Sequence, residues 1–134
     1  MEINIPDVVA DVKAAFLRYQ LAVDTNDVET MNTLFWHSPF TVRFAPNGTL
    51  VGHAAIASYR QTRTTSPLER QLQNTVITTF GRDFAATNTE STKVGKRNVS
   101  RQSQTWIRTP QGWRIAAAHV SDKPEVVEAA VDSV

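Results

Sequence analysis

Apolar residues at Val9, Val12, Phe16, Tyr19 and Val23 recur at three- and four-residue steps, the period of one buried helical stripe. Pro6 and Asp7 stand where a helix can begin, so a first helix is predicted over residues 6–23. Asn26 followed by Glu29 has the spacing of a capping box, and Val28, Met31, Leu34 and Phe35 supply the inward face of a second, shorter helix ending near Trp36. These two make a helical hairpin. Pro39 ends the helical pattern; FTVRFA then alternates as a strand, Pro46-Asn47-Gly48 turns, and Thr49 to Val51 returns. Gly52 opens a third helix with Ala55, Ile56 and Tyr59 inward, and with Arg60 and Arg63 near its end, where the helix dipole favours cations. After TRTTSPLE, the run RQLQNTVITTF is too β-branched for a preferred helix, and Gly81-Arg82 turns it into DFAATNTESTK.

The stretch from Ser100 to Ser121 reads as a long β-hairpin around Pro110-Gln111-Gly112. With Arg108 opposite Trp113, uninterrupted pairing sets Trp106 against Ile115, Gln104 against Ala117, Gln102 against His119 and Ser100 against Ser121. Those residues share one face; Arg101, Ser103, Thr105, Ile107, Arg114 and Val120 share the other. The first face mixes tryptophans and an isoleucine with glutamines, a histidine and a serine, which need hydrogen-bond partners or a ligand if buried. It is read as the wall of a pocket. The element order is α+β: three helices packed on one face of a curved antiparallel sheet, in a single domain over residues 1–122, with 123–134 as a short helix or tail. Three helices cannot cover both sheet faces. The outer face, with Thr105, Ile107, Ala116, Ala118 and Val120, is the expected surface of a homodimer or higher homo-oligomer.

Composition narrows the chemistry. The chain has 134 residues and no cysteine, which removes disulfides, thiol nucleophiles and thiolate metal sites and favours the cytoplasm. MEINIPDVVADVK is acidic where a signal peptide needs positive charge, and no run approaches about 18 apolar residues, so neither secretion nor a membrane span is expected. Fourteen basic against thirteen acidic residues give a net charge of +1, too small a field to argue for nucleic acid. His37, His53 and His119 lack metal-ligand spacing, so no metal is expected.

Several residues are candidates for chemistry. Arg43 lies in an otherwise apolar strand, either edge-exposed with a snorkelling stem or aimed into a site that needs a fork of donors. Tyr19 is either a core aromatic or a hydroxyl facing a pocket under the first helix. His119 and Ser121 are not a nucleophilic pair, because i and i+2 on a strand sit about 7 Å apart, and no G-x-S-x-G is present. Trp106 and Trp113 are core residues first, with Trp106 the one expected to touch a ligand. Asn88 and Glu90 share a strand face, and burial there would raise the Glu90 pKa toward that of a base; the opposite choice, Thr87 and Thr89 inward, fits the pattern nearly as well. Asp83 beside Gly81-Arg82 is read as a turn residue.

LFW with Pro39 and TVRF, the helix AAIASYRQTR, and the segments TVITTFGRDFAATNTE and RQSQTWIRTPQGWRIAAAHVS resemble the AtzH-like group of the nuclear transport factor 2-like (NTF2-like) superfamily, over residues 5–122. The loop VGKRNVS and the tail after Ser121 depart from that pattern. The resemblance implies a cystatin-like fold and a cone-shaped pocket between the first helix and the concave sheet; no cofactor is expected, since without a thiol, metal cluster or activated serine a reaction of binding and proton transfer alone is the natural fit. It further implies a role in oxalurate catabolism, with decarboxylating amidohydrolysis of a small carboxylated urea of the dicarboxyurea kind. On that reading Arg43 clamps a carboxylate and Tyr19 donates or relays a proton, while Gln104, His119 and Ser121 position the urea core and Trp106, Asn88 and Glu90 complete substrate binding. The alternative is a non-catalytic protein that captures oxalurate- or oxamate-type carboxylates. An isomerase or cyclase would want a bulky apolar cavity and an unpaired carboxylate base, which the polar hairpin face disfavours.

Overall fold

The first helix, α1, runs Pro6–Thr25 with proline in its first turn, and ends where Asn26 takes a left-handed conformation (φ 54°) and its N–H caps the Val23 and Ala22 carbonyls. Its buried stripe is Val8, Val12, Phe16, Tyr19 and Ala22, one residue earlier at the start than the Val9 expected, and it includes the polar Gln20. The second helix, α2 (Val28–Leu34), is capped by Asp27, whose carboxylate accepts from the Thr30 N–H at 3.1 Å and the Thr30 hydroxyl at 2.7 Å. The predicted Asn26/Glu29 box is therefore one residue out, because Asn26 is already spent closing α1. The third helix, α3, is His53–Thr62.

The strands are β1 (Val42–Ala45), β2 (Gly48–Val51), β3 (Arg70–Phe80), β4 (Phe84–Lys93), β5 (Val99–Thr109) and β6 (Gly112–Lys123). They form one sheet in the order β2-β1-β6-β5-β4-β3. All neighbours are antiparallel except β1 and β6, which run parallel and set Arg43 beside Ala118. This computed structural model describes residues 1–62 and 69–123. Arg63 and the expected C-terminal helix lie outside the described residues.

Two bulges shape the sheet. In β3 the register jumps between Gln73 and Val76, with Asn74 at φ 54°; in β6 Trp106 still faces Ile115, but Thr105 faces Ala117, so Ala116 is an extra residue. A bulge bends its strand and increases the local twist, which gives the sheet its concave face. α1 and α2 fill that concavity. Val12, Phe16, Leu34 and Phe35 pack with Ile56, Trp106 and Ile115, every one of them 0–1% exposed. The tight end of the β5–β6 hairpin leaves Gly112 at φ 116°, a conformation that a side chain would strain.

Candidate active site

Beyond the packed end of this core the helices and sheet diverge around a cavity of about 380 Å³. Helix α1 contributes Tyr19, α3 contributes Tyr59 and Arg60, β1 contributes Arg43, and β5 contributes Gln102 and Gln104. Arg60 reaches the cavity because it follows Ile56 by four residues and shares its buried face. It is 5% exposed; its guanidinium donates to the Tyr19 hydroxyl at 2.6 Å and to the Met31 sulfur at 3.0 Å, and lies 5.4 Å from the Phe35 ring centre. Among the described residues no carboxylate pairs with it. A buried cation without a carboxylate partner among the described residues is a ready counter-charge for an anion. Arg43 is 9% exposed, with its guanidinium 5.6 Å from the Tyr59 ring centre, and the Tyr59 hydroxyl accepts from the Asn47 amide.

The side walls carry a third basic group. Arg70 opens β3 with its side chain 5% exposed, pairs with Asp24 at 2.6 Å, and donates at 2.9 Å to the Gln20 side-chain oxygen. Gln20 donates in turn to Gln102 at 3.1 Å. At the floor, the Trp106 indole N–H donates to Thr87 at 3.0 Å, and Thr87 donates to Gln104 at 3.1 Å. Among the described residues, Arg43, Arg60, Arg70 and Lys93 line the cavity against the single acid Asp122. Asp24 offsets Arg70, so the electrostatics of the space favour an anion.

The predicted site residues fall into two groups. Tyr19, Arg43 and Gln104 face the cavity together, and His119 borders it. The others do not line it. Trp106 is fully buried beneath it and donates to Thr87. Asn88 and Glu90 point to the opposite sheet face: Asn88 accepts from the Ser103 hydroxyl, and Glu90 binds Arg101 at 2.7 Å and Asn74 at 2.7 Å. Those two contacts, Arg101 first, hold the Glu90 carboxyl below its usual range, the reverse of the raised value expected for a buried base. Thr87 and Thr89 are the inward pair of β4, because Thr87 sits opposite Gln104 and Thr89 opposite Gln102.

The extra residue Ala116 corrects the rest. Beyond a one-residue bulge every side chain changes face, so Ala118 and Val120 turn to the cavity, whereas His119 and Ser121 are exposed. The His119 ring packs edge-on against exposed Phe44, 5.9 Å between centroids, on the face opposite Arg43 and Ala118. Ala118 and Val120 therefore leave the expected outer surface, which keeps Thr105 and Ile107 and gains Phe44 and Ala117. Sequence reasoning missed Arg60, Gln20 and Arg70 as site residues. For Arg60 the signal was its four-residue step from Ile56; for Gln20 and Arg70 the pattern held none, since their burial depends on each other.

No described helix is long and apolar enough to cross a membrane, and among the described residues no group of three or more His, Asp or Glu is placed to hold a metal ion. The AtzH-like family model matches residues 1–125. Among solved structures, a DUF3225-family protein from Pectobacterium atrosepticum SCRI1043 is 48% identical with a TM-score of 0.87, covering 91% of this chain and 95% of its own. A cystatin-like fold protein from Burkholderia xenovorans LB400 is also 48% identical, with a TM-score of 0.86 and coverage of 92% and 99%. An NTF2-like superfamily protein from Salmonella enterica serovar Typhimurium LT2 is 27% identical, with a TM-score of 0.70 and coverage of 90% and 94%. No curated protein matches the chain. With three helices among the described residues on a curved, unclosed six-stranded sheet, this chain belongs to the AtzH-like family and has the NTF2-like, cystatin-like fold.

Proposed function

We propose that the protein is a cofactor-free enzyme that removes carbon dioxide from a small carboxylated urea, a decarboxylating amidohydrolase of the dicarboxyurea type. The observation that carries this reading is the buried Arg60, which has no carboxylate partner among the described residues and bonds to Tyr19 on a cavity that Arg43 also lines. Arg43 offers a planar fork that fits a carboxylate. The Tyr19 oxygen already accepts from Arg60, so its proton is free to be offered to the ligand. In the reaction, Tyr19 protonates the carbamate nitrogen, the N–C bond breaks with its electron pair kept on nitrogen, and carbon dioxide leaves. The phenolate that forms is held by the Arg60 guanidinium 2.6 Å away and regains a proton from solvent. An isomerase reading loses Glu90 as its base, because Glu90 lies on the other sheet face in an ion pair.

The same cavity would serve a non-catalytic carrier of oxalurate- or oxamate-type carboxylates, and one assay separates the two. The protein is incubated with carboxylated ureas and with oxalurate, following carbon dioxide and ammonia. Arg43→Ala and Tyr19→Phe should each abolish turnover in folded protein; wild-type rates in either sink the assignment. Thermal stabilisation without turnover selects the carrier.

We further propose a homodimer through the outer sheet face, supported by a run of exposed apolar side chains there. Phe84 is 57% exposed, Val76 55% and Phe44 46%, on one face with Ile107. Phe84→Lys should halve the mass found by analytical ultracentrifugation. A wild-type monomer would refute this.

A further inference from the structure

We infer that the cavity turns hydrogen-bond donors toward its ligand at Tyr19, Gln102 and Gln104, because each is oriented through contacts that start at a donor-only group, and that the ligand places acceptor oxygens at the two glutamines and an acceptor atom at Tyr19. This deepens the reading of the site as one for a small carboxylated molecule and rests on it for the ligand class. The orientation itself rests on geometry alone.

Three relays set the direction. A guanidinium has no acceptor, so the Arg70 contact of 2.9 Å forces the Gln20 oxygen toward Arg70. The Gln20 amide nitrogen must then point at Gln102, and only the Gln102 oxygen can receive it at 3.1 Å. The Gln102 NH2 is left as the group it offers to the cavity. The second relay starts at the Trp106 indole N–H, also donor-only, which makes the Thr87 hydroxyl an acceptor at 3.0 Å. Thr87 is 1% exposed, and its own proton goes to the Gln104 oxygen at 3.1 Å. Reversing the Gln104 amide would strand that buried hydroxyl proton, so Gln104 also offers its NH2. In the third, Arg60 occupies a lone pair of Tyr19 at 2.6 Å and leaves the phenol proton to the ligand.

Trp106, Thr87, Gln20 and Arg70 are thus positioning residues that act through the glutamines. The arrangement is selective in sign: carboxylate and carbonyl oxygens meet donors at the two glutamines, whereas a ligand turning N–H groups toward Gln102 and Gln104 meets donors with no acceptor to relieve them.

Neutron diffraction from deuterated crystals of the full chain reads the proposal directly. The expected result is deuterium on the cavity-facing atom of both amides, on Thr87 directed at Gln104, and on Tyr19 directed away from Arg60; either glutamine reversed overturns it. Calorimetry with malonate, which has only acceptors at neutral pH, tests the ligand side. Malonate should bind the wild type, with Kd rising at least tenfold in Gln104→Glu and less in Gln104→Met; no binding, or equal binding by Gln104→Glu, overturns that side. Absence of turnover on carboxylated ureas with both results as expected would remove the enzymatic reading and leave the donor wall standing.

Discussion

Thr87→Val is the sharpest perturbation of the floor of the site, because it keeps the shape of the residue and deletes only its hydroxyl. Trp106 is fully buried, so its indole N–H at 3.0 Å loses its acceptor with no water to replace it. Leaving a buried donor unpaired costs about 1–3 kcal/mol. The Gln104 oxygen loses a donor at 3.1 Å on a residue 5% exposed, worth about 0.5–1.5 kcal/mol net. The added methyl returns up to about 0.8 kcal/mol by apolar burial. The balance is a destabilisation of roughly 1–4 kcal/mol. With m of about 1–3 kcal/mol/M in urea, the unfolding midpoint should fall by on the order of 1–2 M at unchanged m. Combining it with Trp106→Phe should cost less than the two singles together, by about 1–2 kcal/mol, since the double variant has no orphaned indole N–H. A loss under about 0.5 kcal/mol for Thr87→Val, or strict additivity, would refute the reasoning that this hydrogen bond is made and directed as described.

Other consequences follow from the same contacts. Asp24→Asn leaves the Arg70 side chain, 5% exposed, without its counter-charge; because Asp24 is itself 30% exposed and Asn still accepts, the expected loss is about 1–2 kcal/mol, read as a drop of roughly 3–8 °C in Tm. The Thr30 hydroxyl, and next its backbone N–H, hold the Asp27 carboxyl below its usual range. A lowered folded-state pKa contributes stability that is present above about pH 4 and lost as pH falls through the folded value. Asp27→Ser keeps a helix cap without titrating, so its urea midpoint should decline less steeply on acidification than the wild type's; parallel curves would contradict the cap's titration.

How much of this was legible in the sequence depended on contrast between neighbouring positions. In α1 the apolar residues stand out against charged and polar ones, so the buried stripe could be read to within one residue and the helix to within two. The hairpin near its turn was equally clear, since Trp106, Trp113 and Ile115 mark one face, and the pairs Arg108–Trp113 and Trp106–Ile115 form as expected. The reading failed at Ala116-Ala117-Ala118, three identical small residues that carry no mark of face and so conceal the bulge that reverses His119 and Ser121. In β4 both faces are polar, threonines on one and Asn88 with Glu90 on the other, so hydropathy could not choose.

What the sequence alone determined is the set of elements, their order and the presence of a donor-rich hairpin, because those follow from local periodicity and turn chemistry. Tertiary structure decided which polar side chains turn inward. Burial of Arg60, Gln20 and Arg70 is tolerable only with partners 41 and 50 residues away, Tyr19 for Arg60 and Gln20 for Arg70. Thr87 faces inward because it is hydrogen-bonded between Trp106 and Gln104. A polar group's place is set by whether folding supplies its hydrogen bonds, and no window along the chain contains that information.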